Sequence, residues 1–165
     1  MMDRELLVLT FKDGLLARLA HDLQIRATDW DVVIDGDAIT VRVGLRGLKV
    51  DGAVVGERVA PGVLSAGDLG KIERTMNEDV LATGRWPEAR FEGVIDRAGM
   101  VVRGRLGMHG RSIELPPVHV VEEGGRVHAE VAIVPSRWDI GPYRALAGAL
   151  KLQDRVVVRV SLPRG

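Results

Sequence analysis

Long stretches of this chain alternate apolar and polar residues with a period of two, which commits them to strands with one dry face. Ile39, Val41, Val43 and Leu45 fall on one side, with Thr40, Arg42, Gly44 and Arg46 on the other. Val127, Ala129, Val131 and Ile133 repeat the pattern against His128 and Glu130. Val156, Val158, Val160 and Leu162 do so against Val157, Arg159 and Ser161. Turn signals separate the runs at Lys12-Asp13-Gly14, Asp35-Gly36-Asp37, Asp96-Arg97-Ala98-Gly99 and Gly124-Gly125. The pattern predicts strands near 4–11, 15–27, 30–35, 38–46, 88–95, 100–108, 112–121, 126–135 and 154–162. Pro116-Pro117 suits an edge or a bulge within the seventh of these.

Short connections favour antiparallel neighbours over parallel crossovers. Eight or nine such strands point to a closed barrel or a sandwich, and closure has the advantage of removing open edges. One segment departs from the pattern. Ser65 followed by Asp68 resembles a capping box, and Leu69, Ile72, Met76 and Val80 then recur at helical spacing. Gly84 suits the helix stop, and Trp86-Pro87 blocks continuation. The apolar stripe of this helix should cover one face or one mouth of the β structure. A short second helix is expected over 143–150, after Pro142, and the segment 51–64 reads as a loop.

The 165 residues fit a single domain, 1–165, and no linker divides them. With no Cys there are no disulfides, thiolate metal sites or thiol nucleophile. The N-terminus mixes charges ahead of a short apolar run, Leu6 to Leu9, which does not read as a secretory signal. No apolar run reaches the roughly 18 residues of a membrane helix. The expectation is a cytoplasmic protein without a membrane span. Basic and acidic residues balance at 23 each and aromatics are only 4%, so the charge stripe and stacking rings of a nucleic-acid binder are missing.

No nucleophile elbow surrounds Ser65, Ser112, Ser136 or Ser161, and the run Gly104 to Gly110 lacks the spacing of a phosphate cradle. No catalytic residue and no cofactor is therefore assigned. His21 shares a predicted strand face with Leu19, Leu23 and Ile25. It reads either as a hydrogen-bonded core residue or as the polar group that meets a ligand's head. His119 and His128 lie opposite one another if the hairpin turns at Glu123-Gly124, whereas a turn at Gly124-Gly125 sets His119 against Glu130. Two histidines are too few for a zinc site, so no metal is expected. The cluster from Arg137 to Tyr143 either turns the chain or forms the rim of a pocket.

Several landmarks, taken in order, resemble the YceI-like family, described as polyisoprenoid-binding and lipocalin-like. They are the early Leu19-Ala20-His21-Asp22-Leu23, then Trp86-Pro87 through Phe91 after the helix, then Gly104-Arg105-Leu106-Gly107-Met108-His109-Gly110. Arg137-Trp138-Asp139-Ile140-Gly141 and Leu150 to Val156 complete the series, which covers about 15–162. The resemblance implies an antiparallel, eight-stranded lipocalin-like barrel with a packed helix. It also implies an elongated cavity for an isoprenoid-like or fatty chain. The reading is a non-catalytic carrier or sequestering protein for an apolar or amphiphilic small molecule. Leu19, His21, Leu23, Val41, Val43, Trp138 and Val158 are its expected ligand contacts on inward faces and rim. The alternative is a filled barrel acting as a protein-interaction or stress-response scaffold. The resemblance also admits a homodimer, although no heptad or sustained apolar patch supports one.

Overall fold

A computed structural model describes residues 4–13, 21–141, 144–145 and 150–164. The fold is mainly β. Its strands are β1 Glu5–Asp13, β2 Leu23–Ala27, β3 Trp30–Asp35, β4 Ala38–Gly44, β5 Leu48–Val55, β6 Arg58–Val59, β7 Glu88–Asp96 and β8 Val101–Met108. They continue as β9 Arg111–Glu114, β10 Val118–Glu123, β11 Arg126–Ile133, β12 Arg144–Ala145 and β13 Leu150–Pro163. All are antiparallel to their partners, in the order β3-β4-β7-β8-β10-β11-β13-β1-β2-β5-β6, with β9 beside β8 and β12 beside β13.

This corrects the expected closed, eight-stranded barrel. Among the described residues the sheet has thirteen strands, and its hydrogen-bonded ladder does not close. The reason is a sharp bend in one long hairpin. Pairing runs from Ala27 opposite Leu48 to Trp30 opposite Val43. Between them Thr28 N–H donates to Gly47 O at 3.0 Å and Gly44 N–H donates to Asp29 O at 2.8 Å. Strands β2 and β3 are thus one bent strand, and β4 and β5, joined by the 3₁₀ turn Leu45–Gly47, are its bent partner. Only glycine fits the inside of the bend. A Cβ at Gly44 would lie 2.1 Å from Asp29 Oδ2, and one at Gly47 would lie 2.9 Å from Asp29 Cβ. The two ends of the sheet are therefore brought together by the chain itself.

The segment expected as a loop at 51–64 is partly strand, because β5 continues to Val55 and β6 folds back on it. Gln24 pairs with Gly52 and Ile25 with Val50, so Asp51 is the extra residue of a bulge. Its carboxylate accepts hydrogen bonds from Gln24 Nε2 at 2.8 Å and Arg26 Nε at 3.4 Å. The run 112–121 divides into β9 and β10 around Leu115-Pro116-Pro117, where proline cannot serve the ladder. The β10–β11 hairpin turns at Gly124-Gly125, both at positive φ, and Glu123 faces Arg126. Continuing that register sets His119 against Glu130, and His128 faces Val121. The short second helix is not found at the described part of 143–150, where Arg144 and Ala145 pair with Lys151 and Leu150. Its remaining residues lie outside the described ones.

The helix expected after Ser65 begins at Ala66. Ser65 Oγ accepts Asp68 N–H, and Asp68 accepts Ser65 N–H, a complete capping box. This α1, Ala66–Thr75, continues into a π-helical turn, Met76–Val80. Ala82, not Gly84, takes the left-handed conformation that ends it, at φ 46°. No helix among the described residues is long and apolar enough to cross a membrane.

Buried residues form two clusters. Leu6, Leu23, Ile25, Trp30, Leu48, Val50 and Met76 knit the bent hairpin to the helix, while Leu115, Ile133, Trp138 and Ile140 gather near the far end of the helix. Gly93 and Gly104 face each other on β7 and β8, and the Phe91 ring lies across both. A Cβ at Gly104 would sit 2.3 Å from Glu92 O and 2.6 Å from Phe91 Cζ. Gly104→Ala should therefore cost about 1–3 kcal/mol through overpacking. Gly70, inside α1, has nothing within 4 Å of a would-be Cβ. Gly70→Ala should stabilise by roughly 0.5–1 kcal/mol. Urea denaturation of both variants measures the opposite signs.

Candidate functional site

The alternation that forms the strands also sends one apolar set inward from nearly every strand. β1 contributes Leu6, Val8 and Thr10, β2 Leu23 and Ile25, β4 Val41 and Val43, β11 Val131, and β13 Val156, Val158 and Val160. They enclose a cavity of about 1290 Å³. Ile72, Met76 and Val80 of the helix close one end of it, so the stripe read from the sequence is part of the cavity wall. Many of these side chains face the interior and are still only half-buried, among them Val8, Val41, Val43, Val158 and Val160. They touch open space where a packed core would place another side chain.

The walls are aliphatic, and the ends carry the polar groups. At the end formed by the β3–β4, β7–β8 and β10–β11 turns these groups are paired. Arg97 Nε donates to Asp37 at 3.0 Å, Asp96 Oδ1 accepts Gly99 N–H at 3.1 Å, and Arg164 lies 3.4 Å from Glu122. Ile34, inward-facing but 51% exposed, marks the rim at this end. At the helix end His21, Asp68, Lys71 and Thr75 line the cavity. The Asp68 carboxyl is held below its usual range, first by the Ser65 backbone N–H and then by the Ser65 hydroxyl, with Lys71 and His21 adding positive charge. The buried Thr10 hydroxyl has no hydrogen-bond partner.

Of the residues proposed from sequence, His21, Leu23, Val41, Val43 and Val158 line this cavity. Leu19 lies outside the described residues. Trp138 does not line it. The ring is 1% exposed, within the second core cluster, and its indole N–H donates to Leu106 O at 2.9 Å. The Arg137 to Tyr143 segment thus supplies a core anchor at Trp138, and only Ile140 and Gly141 among its described residues reach the cavity wall. His109, read as a turn residue, has φ 51°, stacks on Trp86 and meets Leu81 O through Nε2 at 2.6 Å. No group of three or more His, Cys, Asp or Glu side chains among the described residues is arranged to hold a metal. Sequence reasoning missed the wall residues Thr10, Asp68 and Lys71. The helical periodicity placed the last two beside the stripe without saying which end of the sheet they would meet.

No family model matches the sequence, and no curated protein matches it. Several solved structures are similar, two of them as follows. Burkholderia cenocepacia BcnA shares 12% identity over 96% of this chain and 94% of its own, with a TM-score of 0.60. A polyisoprenoid binding domain from Saccharophagus degradans, implicated in plant cell wall breakdown, shares 12% over 96% and 91%, with a TM-score of 0.63. The chain shares its overall fold with these two structures, and at 12% identity the likeness is one of fold.

Trp138→Phe keeps a ring in the core but removes the partner of the Leu106 carbonyl. The expected loss is about 1–3 kcal/mol of stability, with binding of an alkyl-chain probe retained, since Trp138 lies off the cavity wall. Thermal melts and a probe titration on the same preparation check the two halves separately.

Proposed function

We propose that this protein binds a long apolar or amphiphilic molecule in the cavity and acts as a carrier or sequestering module without catalysing a reaction. The observation that carries this reading is the aliphatic cavity of about 1290 Å³. Ordinary small-ligand pockets span roughly 300–1,000 Å³, so this one suits an extended chain better than a compact metabolite. The polyisoprenoid-binding domain of S. degradans supports a ligand of that kind. The open interior weighs against the alternative of a filled barrel acting as a scaffold, because a scaffold gains nothing from unpacked walls.

Binding of this kind depends on the area removed from water. Each methylene buried contributes about 0.8 kcal/mol, roughly a fourfold change in Kd. Affinity for a series of alkyl probes should therefore climb with chain length until the cavity is full. Val158 lies mid-strand on the wall, and its half-buried side chain points into the cavity. Val158→Asp should weaken the longest probe by more than about tenfold, because the chain would have to desolvate a carboxylate. His21→Ala should cost only about 0.5–1.5 kcal/mol, the worth of one hydrogen bond. Fluorescence titration with the probe series measures all three, with a melt confirming that Val158→Asp is folded. Affinity indifferent to chain length would sink the proposal.

A further inference from the structure

The two ends of the cavity differ in how their charges are used, and this gives a bound chain a direction. At the turn end the charged groups already have partners, as in Arg97 with Asp37 and Arg164 with Glu122. At the helix end Lys71 and His21 line the cavity with no hydrogen-bond or ion-pair partner among the described residues. The acidic groups there each hold hydrogen bonds to serine, and Asp68 also feels the charge of Lys71 and His21. Asp68 caps the helix through Ser65, and Asp154 accepts the Ser136 N–H at 3.0 Å and the Ser136 hydroxyl. The first turn of α1 also borders the cavity through Asp68, with Leu64 just before its cap, and a helix N-terminus adds positive potential. An independent sign of an unmet polar partner lies on the neighbouring strand. Thr10 is 8% exposed, lines the same cavity, and leaves its hydroxyl unpaired. It sits opposite Leu23, two residues from His21.

We infer that the helix end is a head-group site for an acidic amphiphile, with Lys71 and His21 receiving a carboxylate or phosphate and the tail running toward the turn end. The inference rests on the chain-binding reading above and adds the charge of the head and its place. A cationic head would meet the Lys71 ammonium and find the Asp68 and Asp154 carboxylates already hydrogen-bonded. A neutral head would leave Lys71 unpaired beside an apolar chain.

The test holds the tail constant and changes the head. Oleic acid, oleyl phosphate, oleyl alcohol and oleylamine are titrated into the full chain below their aggregation concentrations. Wild type, Lys71→Glu and a control, Lys49→Glu, are compared; Lys49 is exposed on β5 and does not line the cavity. In wild type the acids should bind on the order of tenfold more tightly than the alcohol, as one charge-assisted hydrogen bond allows. The acid-to-alcohol ratio should collapse in Lys71→Glu and stay at its wild-type value in Lys49→Glu. Whether oleate or oleyl phosphate is the tighter acid distinguishes a carboxylate from a phosphate head. If all four heads bind alike, or the amine binds best, the head-group site is wrong while the apolar cavity stands. An acid preference that survives in Lys71→Glu overturns the assignment to this end. If none of the four binds, the chain-binding reading falls and takes this inference with it.

Discussion

The approach of Asp29 to the backbone of Gly44 and Gly47 governs the rest of this structure. Were any side chain present at Gly44, it would occupy the space of the Asp29 carboxylate. With both glycines in place, the β2–β3 strand and its partner turn together. Arg42 then holds the outside of the bend, 2.8 Å from both Asp29 and Asp31. These are exposed charges and contribute modestly to stability, so the bend rests chiefly on backbone bonds and on the absence of two Cβ atoms. The bend thus lets the apolar sides of β1, β4, β11 and β13 face a common interior.

A sheet rolled in this way must still decide what fills it. Aromatic residues are 4% of the chain, and of the three tryptophans Trp138 is spent on the second core cluster and Trp30 on the first. What remains for the wall is largely Val, Leu and Ile, which are too short to meet across the interior. A sealed, empty space of this kind would be ruinous. At about 24 cal/mol per Å³, the penalty for 1290 Å³ scales to roughly 30 kcal/mol, beyond the 5–15 kcal/mol of a typical domain. The lumen is therefore admissible only if water or a ligand reaches it. The half-buried state of Val8, Val41 and Val158, and the exposed rim at Ile34, fit that requirement.

Local chemistry made part of this legible in the sequence. Period-two alternation located most strands, Ser65 with Asp68 marked the helix start, and Gly124-Gly125 chose the hairpin register because both positions need positive φ. The elements that escaped are those whose fate is decided by distant residues. β5 was hidden because Gly52 and the Asp51 bulge interrupt its alternation, and only pairing with Gln24 and Arg26 reveals it as a strand. The failure of the ladder to close is fixed by the bend angle, which hydrophobic periodicity does not encode. Trp138 looked like a rim residue for the same reason. Its burial depends on the Leu106 carbonyl, 32 residues away. Leu23, Val41, Val43 and Val158 lie on the wall because strand faces are periodic, and of the polar end only His21 was read, because that end joins β1 and β2 to a helix read separately.

The helix is where stability and binding meet. Glu73 accepts the Val50 backbone N–H at 2.9 Å, tying α1 to β5, while Met76 packs into the core cluster and also lines the cavity. The π-helical turn from Met76 widens the backbone where the helix crosses the cavity end, and such turns recur at functional sites. A ligand tail against Ile72 and Met76 would supply the apolar contacts that this face of the helix lacks from the sheet. Anything that binds only the folded state stabilises it in proportion to RT ln(1 + [L]/Kd). On the proposed reading, a bound chain would therefore raise the stability of the fold, and the helix that lines the cavity is the element through which that coupling would act.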